Sequence, residues 1–330
     1  MLFSVNPLNW FRQSLKLDAG VVKTILPRSL IFASLGIGVA YVHVVQPTLE
    51  LNVVGSLTTN VACNLVLGLL LVFRTNAAYD RFWQGRQAWG MITVEIRNLS
   101  REIQITIPAI DQKTQQEKTD LFKLLVAFAI ATKLHLRQQT ITTELDQWVS
   151  PKILDQCRQA SNPPLQISLW IRHFLQQLSQ RHSITPIQQM IILNQLNKLV
   201  EGLTYCERIA TTPTPLAYVS FLRKLILIYC CLLPFHLVAQ LNWWVGFAMM
   251  AIATVLLGVD EIGSLMDNPF GNDPTDLPLD AICDKIISNV ESTKAFVAED
   301  QGATSETTSS SHCFEVAVSS EIAFPQANSA

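Results

Sequence analysis

Charge is what this 330-residue chain has least of: 15% of its residues are Asp, Glu, Lys or Arg, against about 25% in typical soluble domains. The shortage is local. No charged residue lies between Arg28 and Glu50, between Glu50 and Arg74, or between Lys224 and Asp260. Gaps of this length place hydrocarbon rather than water around part of the chain. A formal net charge of −2 supplies no basic field that would gather nucleic acid. The seven cysteines are odd in number and contain no Cys-x-x-Cys pair, which argues against a disulfide framework or a zinc site. No His-x-x-x-His, Gly-x-Ser-x-Gly or acidic metal cluster accompanies His43 and His236, and His135, His173, His182 and His312 are isolated. Neither an enzyme nor a cofactor is expected.

What is present reads as an all-α integral membrane protein. A helix needs roughly 20 apolar residues to cross about 30 Å of hydrocarbon, and the stretches 28–48 and 54–73 qualify. Pro27 suits a first helical turn. The third gap, Leu225 to Val259, is too long for one span and short for two; split at Gln240-Leu241-Asn242, it gives two spans with the first starting near Leu216. Four transmembrane helices in two hairpins result. Arg223 and Lys224 then stand at the membrane boundary and are expected to snorkel to the interface.

Lys and Arg are plentiful before the first span and between the second and third, and absent from the loops near 47–54 and 240–243. The positive-inside rule therefore puts both termini and the central segment on the cytoplasmic side, with Trp243-Trp244 in the outer aromatic belt. Expected units are an amphipathic arm at 1–27, a first hairpin at 28–76, a cytoplasmic helical domain at 77–215, a second hairpin at 216–262, a cytoplasmic segment at 263–301 and a mobile Ser/Thr-rich tail at 302–330. Breaks at Pro108, Ser150-Pro151, Asn162-Pro163-Pro164 and Thr185-Pro186 divide the central segment into four or five helices.

A helical wheel at 100° per residue puts Leu65, Leu69 and Phe73 within about 80° of one another. Thr58 and Ala62 extend that face outward, and Asn76 and Asp80 extend it toward the cytoplasm. Arg74 and Arg81 fall on the opposite side. Several copies around an axis would make this face a pore with a hydrophobic constriction. A single copy could equally use it to pack on a neighbouring helix. Asp80 either contributes a carboxylate beneath the constriction or pairs with Arg74, Arg81 or Arg86; pairing is the expectation here.

The run Arg74-Thr75-Asn76-Ala77-Ala78-Tyr79-Asp80-Arg81-Phe82-Trp83-Gln84-Gly85-Arg86 resembles the signature of the bestrophin family of ion channels, in its prokaryotic and plant branch. Cys206-Glu207-Arg208-Ile209 with Thr212-Pro213-Thr214-Pro215, and Asp260-Glu261-Ile262-Gly263 with Asn268-Pro269-Phe270-Gly271, agree in order and spacing. The resemblance covers about residues 8–295 and implies a homopentamer around one central pore. It implies a neck at Leu65, Leu69 and Phe73, and a cytoplasmic aperture at Ile187. Arg74, Tyr79, Arg81, Trp83, Glu207, Arg208, Pro213, Pro269, Phe270 and Gly271 would be structural signature positions.

Animal members bind calcium through an acidic run after Asn-Pro-Phe-Gly. Here the run holds only Asp273 and Asp276, so these are weak calcium candidates, expected instead to cap the next helix or bind Arg or Lys. Because the family includes both chloride and cation channels, the resemblance implies monovalent ions, with chloride preferred. Lipid and further copies of the chain are the expected partners, in the plasma membrane or an internal membrane such as the thylakoid.

Overall fold

The computed structural model describes residues 19–46, 55–107, 111–181 and 183–303. The expected arm before Ala19, the loop at 47–54, Pro108, His182 and the expected tail from 304 on lie outside the described residues. Among those described, every regular element is helical: α1 (Ala19–Val45), a 3-10 turn (Ser56–Thr59), α2 (Val61–Thr106), α3 (Gln112–Leu136), α4 (Pro151–Gln159), α5 (Pro163–Gln180), α6 (Pro186–Thr211), α7 (Leu216–Leu241), a second 3-10 turn (Asn242–Trp244), α8 (Val245–Met266) and α9 (Leu279–Ala303).

Local chemistry sets the helix starts. Asn60, Asp111 and Asn162 accept a hydrogen bond from a backbone N–H in the first turn of α2, α3 and α5. Thr185 and Gln188 form a reciprocal capping box on α6. The proline breaks at 151, 163 and 186 are each the first residue of a helix. Proline is at home there because that N–H would have no helical acceptor.

Two apolar cores divide the molecule. One joins Val39 and Ala40 of α1, Leu67 and Leu71 of α2, Leu222 and Ile226 of α7, and Met249 and Ala253 of α8. Close contact between α1 and α8 depends on small residues, since a Cβ on Gly246 would lie 2.6 Å from Ile37 Cγ1. Among the described residues three segments are long and apolar enough to cross a membrane: Val22–Val45, Val61–Thr106 and Leu216–Met266. The last is α7 and α8, and the chain reverses at Asn242, whose φ is 47°. The other core surrounds α3, where Leu124 to Ala131 are all buried, and takes in Ile92, Ile96, Leu99 and Ile103 of α2 with Leu196, Leu199 and Leu203 of α6.

Several features depart from the sequence reading. Pro27 lies inside α1 rather than in its first turn; it removes only the bond to the carbonyl of Lys23, a defect membrane helices tolerate. Thr58 is not on the face of α2. Asn60 starts that helix two residues later, and Thr58 is buried in the 3-10 turn, its hydroxyl donating to Gly55 O at 2.7 Å. Arg223 does not simply snorkel: its Nε donates to Asp260 Oδ2 at 2.9 Å and its Nη2 to Ser264 Oγ at 2.8 Å. Helix α2 runs unbroken for 46 residues, about 69 Å at 1.5 Å per residue, straight through the expected boundary at 76–77.

Polar contacts tie the core around α3 together. Lys118, buried, donates to the carbonyls of Gln104 and Ile107 at the end of α2. Lys133 Nζ meets Glu144 Oε2 at 2.7 Å and Asp280 Oδ1 at 2.8 Å, and Arg137 Nη1 meets Asp280 Oδ2 at 3.0 Å. Burial works against the Lys133 charge, but the carboxylates of Asp280 and Glu144 outweigh it and hold its pKa above the ordinary value. The hydrogen bond from Lys133, followed by that from Arg137, depresses Asp280 against a smaller opposing effect of burial.

A depressed carboxylate contributes stability that is complete above its unfolded pKa, near ~4, and is lost as pH falls through the lower folded value. The raised Lys133 contributes fully below about 10.4 and loses its share as pH rises through its folded value. Asp280 is more than half exposed, so its share is small. Asp280→Asn is expected to lower the melting temperature by about 2 °C at pH 7 and by less as the pH falls below about 4, measured by thermal unfolding in detergent.

Candidate functional site

Helix α2 has two unlike faces in its first five turns. Leu67, Leu71, Arg74 and Ala78 are buried against the rest of the chain. On the opposite side Leu65, Leu69 and Phe73 are 69%, 49% and 55% exposed, aligned at i, i+4 and i+8. Ala62 precedes them and Asn76, Asp80, Gln84 and Gln87 follow, all exposed. The result is one continuous stripe, apolar over three turns and polar beneath.

Asp80 pairs with none of the three arginines expected for it, nor with any other described residue. The cause is rotational: Arg74 and Arg81 lie about 100–120° around the helix from Asp80 and face inward. Arg86 instead sits 5.8 Å from the ring centroid of Trp83. Tyr79 and Trp83 project to the surface beside the stripe, 53% and 45% exposed. Ile187 is also exposed, in the first turn of α6, with Met190 one turn on.

The inward arginines converge on Asp267, the residue that ends α8. Arg74 Nη2 donates to Asp267 Oδ2, which also accepts from Thr214 Oγ1 at 3.0 Å. Arg81 Nε donates to the Asp267 carbonyl at 2.5 Å, and its two terminal nitrogens donate to the carbonyls of Ile209 and Thr212. Ile209 lies in the last turn of α6, where carbonyls lack helical partners and the macrodipole is negative. One guanidinium therefore joins α2, the end of α6 and the end of α8. Four residues along α2, a Cβ on Gly85 would lie 2.8 Å from Pro269 Cγ and 3.3 Å from Phe270 Cζ. Only glycine lets the Asn268-Pro269-Phe270-Gly271 turn dock there.

The other signature residues have structural contacts. Glu207 Oε1 meets His135 Nε2 at 2.9 Å and Asn162 Nδ2 at 2.6 Å, joining α6, α3 and the start of α5. Arg208 lies over the Tyr205 ring. Pro213 is in the short link between α6 and α7, next to the Thr214 that reaches Asp267.

Asp273 and Asp276 neither cap α9 nor meet a cationic side chain at ion-pair distance among the described residues. Asp276 Oδ2 accepts from the Asp273 backbone N–H at 2.8 Å, closing the loop on itself, and burial pushes the Asp276 carboxyl up. A Cβ on Gly271 would strike that same carboxylate. Among the described residues no three His, Cys, Asp or Glu side chains converge as a metal site. Asp267 itself is absent from the sequence-derived set; its signal is its place directly before Asn268-Pro269, at the end of an apolar helix facing two arginines. Lysine cannot reproduce the three-way fork of Arg81. Arg81→Lys should cost about 3 kcal/mol of stability, nearly as much as Arg81→Gln, in denaturant or thermal unfolding; a Lys variant as stable as the parent would show that charge alone suffices.

The profile of the family described as bacterial/fungal bestrophin protein matches residues 1–292. A protein named voltage-dependent anion channel-forming protein in Nostoc sp. is 42% identical over 283 residues, which are 86% of this chain and 91% of that one. One of the same description in Synechocystis sp. is 39% identical over 288 residues, covering 87% and 92%. A crystal structure of a bacterial bestrophin homolog from Klebsiella pneumoniae, a point mutant, aligns with TM-score 0.72 at 27% identity, over 83% of this chain and 98% of that one. With the profile spanning most of its length and its signature blocks built into one junction, the chain belongs to the bestrophin family.

Proposed function

We propose that the chain is the subunit of a passive anion channel, five copies of which surround one pore lined by the stripe of α2. The observation that carries this reading is the row Leu65, Leu69 and Phe73, exposed on a helix whose other side is fully engaged. Five copies of such a row form three stacked apolar rings, a tube that holds water and ions poorly and so serves as neck and gate. Ala62 leads into it, Asn76 and Asp80 line the vestibule below, and Ile187 forms the cytoplasmic aperture. The exposed Tyr79 and Trp83 are the side chains that contact neighbouring subunits. In this arrangement α1, α2, α7 and α8 are the four membrane helices, both termini are cytoplasmic, and the host membrane is the plasma membrane or an internal one.

An uncharged neck carries no sign of its own, so selectivity rests on what surrounds it. Relatives named as anion channel-forming proteins support an anion. So does the placement of Ile187 in the first turn of α6, where five helix N-termini would turn their positive dipole ends toward the aperture. Chloride is the proposed ion. One observation favours a second reading, a monovalent cation channel of the same fold: Asp80 is exposed and unpaired, and five such carboxylates would concentrate cations beneath the neck.

Purified protein in planar bilayers under a chloride gradient should show a reversal potential near the chloride equilibrium value. A potential that tracks sodium, and that collapses in Asp80→Asn, would establish the cation reading instead. Leu69→Ala and Phe73→Ala should each widen the neck and raise current severalfold or alter selectivity. Unchanged currents from both variants would remove these residues from the conduction path.

A further inference from the structure

A groove of about 580 Å³ lies between α1, α7 and α8, apart from the stripe of α2. Its charged residues share one level. Arg28 Nη1 donates to Glu261 Oε2 at 3.3 Å, and Arg223 spans Asp260 and Ser264. Its apolar lining sits one turn away in a consistent direction. On α1 and α7 the lining residues are Ile31, Phe32, Ile226 and Leu227, three and four residues after each arginine; on α8 it is Leu257, three residues before Asp260. Helices α1 and α7 run outward from the cytoplasmic side and α8 runs back. All three offsets therefore point toward the membrane centre. The groove is layered like a lipid, with charge at the interface and hydrocarbon beneath.

Its unused hydrogen-bonding capacity narrows the occupant. Both arginines are half exposed. Nε and Nη2 of Arg28 and Nη1 of Arg223 donate to no described residue. These free guanidinium donors suit an oxyanion. Asp260 is 4% exposed, yet its Oδ1 is buried with no partner. That oxygen is closed off from the groove, so an occupant meets the free guanidinium donors and the apolar layer. Ile31 and Leu227, 65% and 56% exposed, leave the apolar layer open for an acyl chain.

We infer that this groove is a binding site for an anionic membrane lipid. The oxyanion rests between Arg28 and Arg223, and an acyl chain lies on Ile31 and Leu227. The site rests on the membrane orientation proposed above but not on conduction, so lipid retention and ion flux are read separately.

The test uses the full-length protein exchanged into micelles containing equal amounts of phosphatidylglycerol, phosphatidate and phosphatidylcholine, with bound lipid counted by native mass spectrometry. Phosphatidylglycerol and phosphatidate should each be retained about tenfold over phosphatidylcholine. Arg28→Gln should reduce phosphatidylglycerol retention by about tenfold, the loss of one charged hydrogen-bond set. Leu227→Trp, which fills the apolar layer and leaves both ion pairs intact, should reduce it comparably. Equal retention of phosphatidylglycerol and phosphatidylcholine, or no effect of either variant, would overturn the site. Displacement by soluble glycerol phosphate at equal concentration would overturn a lipid as the occupant. Reversal potentials unchanged in Arg28→Gln accompany a site separate from the conduction path.

Discussion

The carboxylate of Asp267 holds the charge on which the junction of this fold depends. Arg74 is 1% exposed, and among the described residues its Nε and Nη1 have no partner and Asp267 is the carboxylate that compensates a guanidinium taken out of water. Removing such a partner leaves an uncompensated buried charge, typically a loss of about 3–5 kcal/mol. The same residue accepts from Thr214 and, through its carbonyl, from Arg81. The end of α8 is thereby fixed to α2 and to the link between α6 and α7, where the two apolar cores meet.

Cations at helix ends recur as the means of joining long elements here. Arg81 satisfies carbonyls at the end of α6, and Lys118 satisfies those at the end of α2. Terminal carbonyls buried without partners would be costly. A chain with so few charges therefore places several of them where each meets groups on two or three segments. Desolvation lowers the Lys118 pKa, the expected consequence of burying an ammonium whose acceptors are neutral carbonyls.

The helical class, the apolar segments and the proline-marked helix starts were legible in the sequence because each rests on local chemistry: hydropathy, capping and the missing N–H of proline. The two-sidedness of α2 was legible for the same reason, since a wheel needs only one helix. What periodicity does not encode is contact between distant segments. Asp267 and Asp260 meet Arg74 and Arg223 across 193 and 37 residues, and neither partner could be chosen from spacing. Thr58 failed differently. The wheel assumed that a helix covers the whole apolar run, whereas Asn60 caps α2 and leaves Thr58 in a separate turn. Asp80 shows the reverse error: arginines nearby in sequence lie around the helix from it.

The uninterrupted length of α2 has a mechanical consequence. No proline divides its 46 residues, and its C-terminal half is clamped at Trp89, Ile92 and Ile96 within the core around α3. From Trp89 to Leu65 the helix extends about 36 Å. A tilt of about 5° at the clamp would swing Leu65 sideways by about 3 Å, more than the width of a water molecule. A stiff lever of this kind converts small rearrangements among the helices around α3 into displacement at its far end without any change in the helix itself.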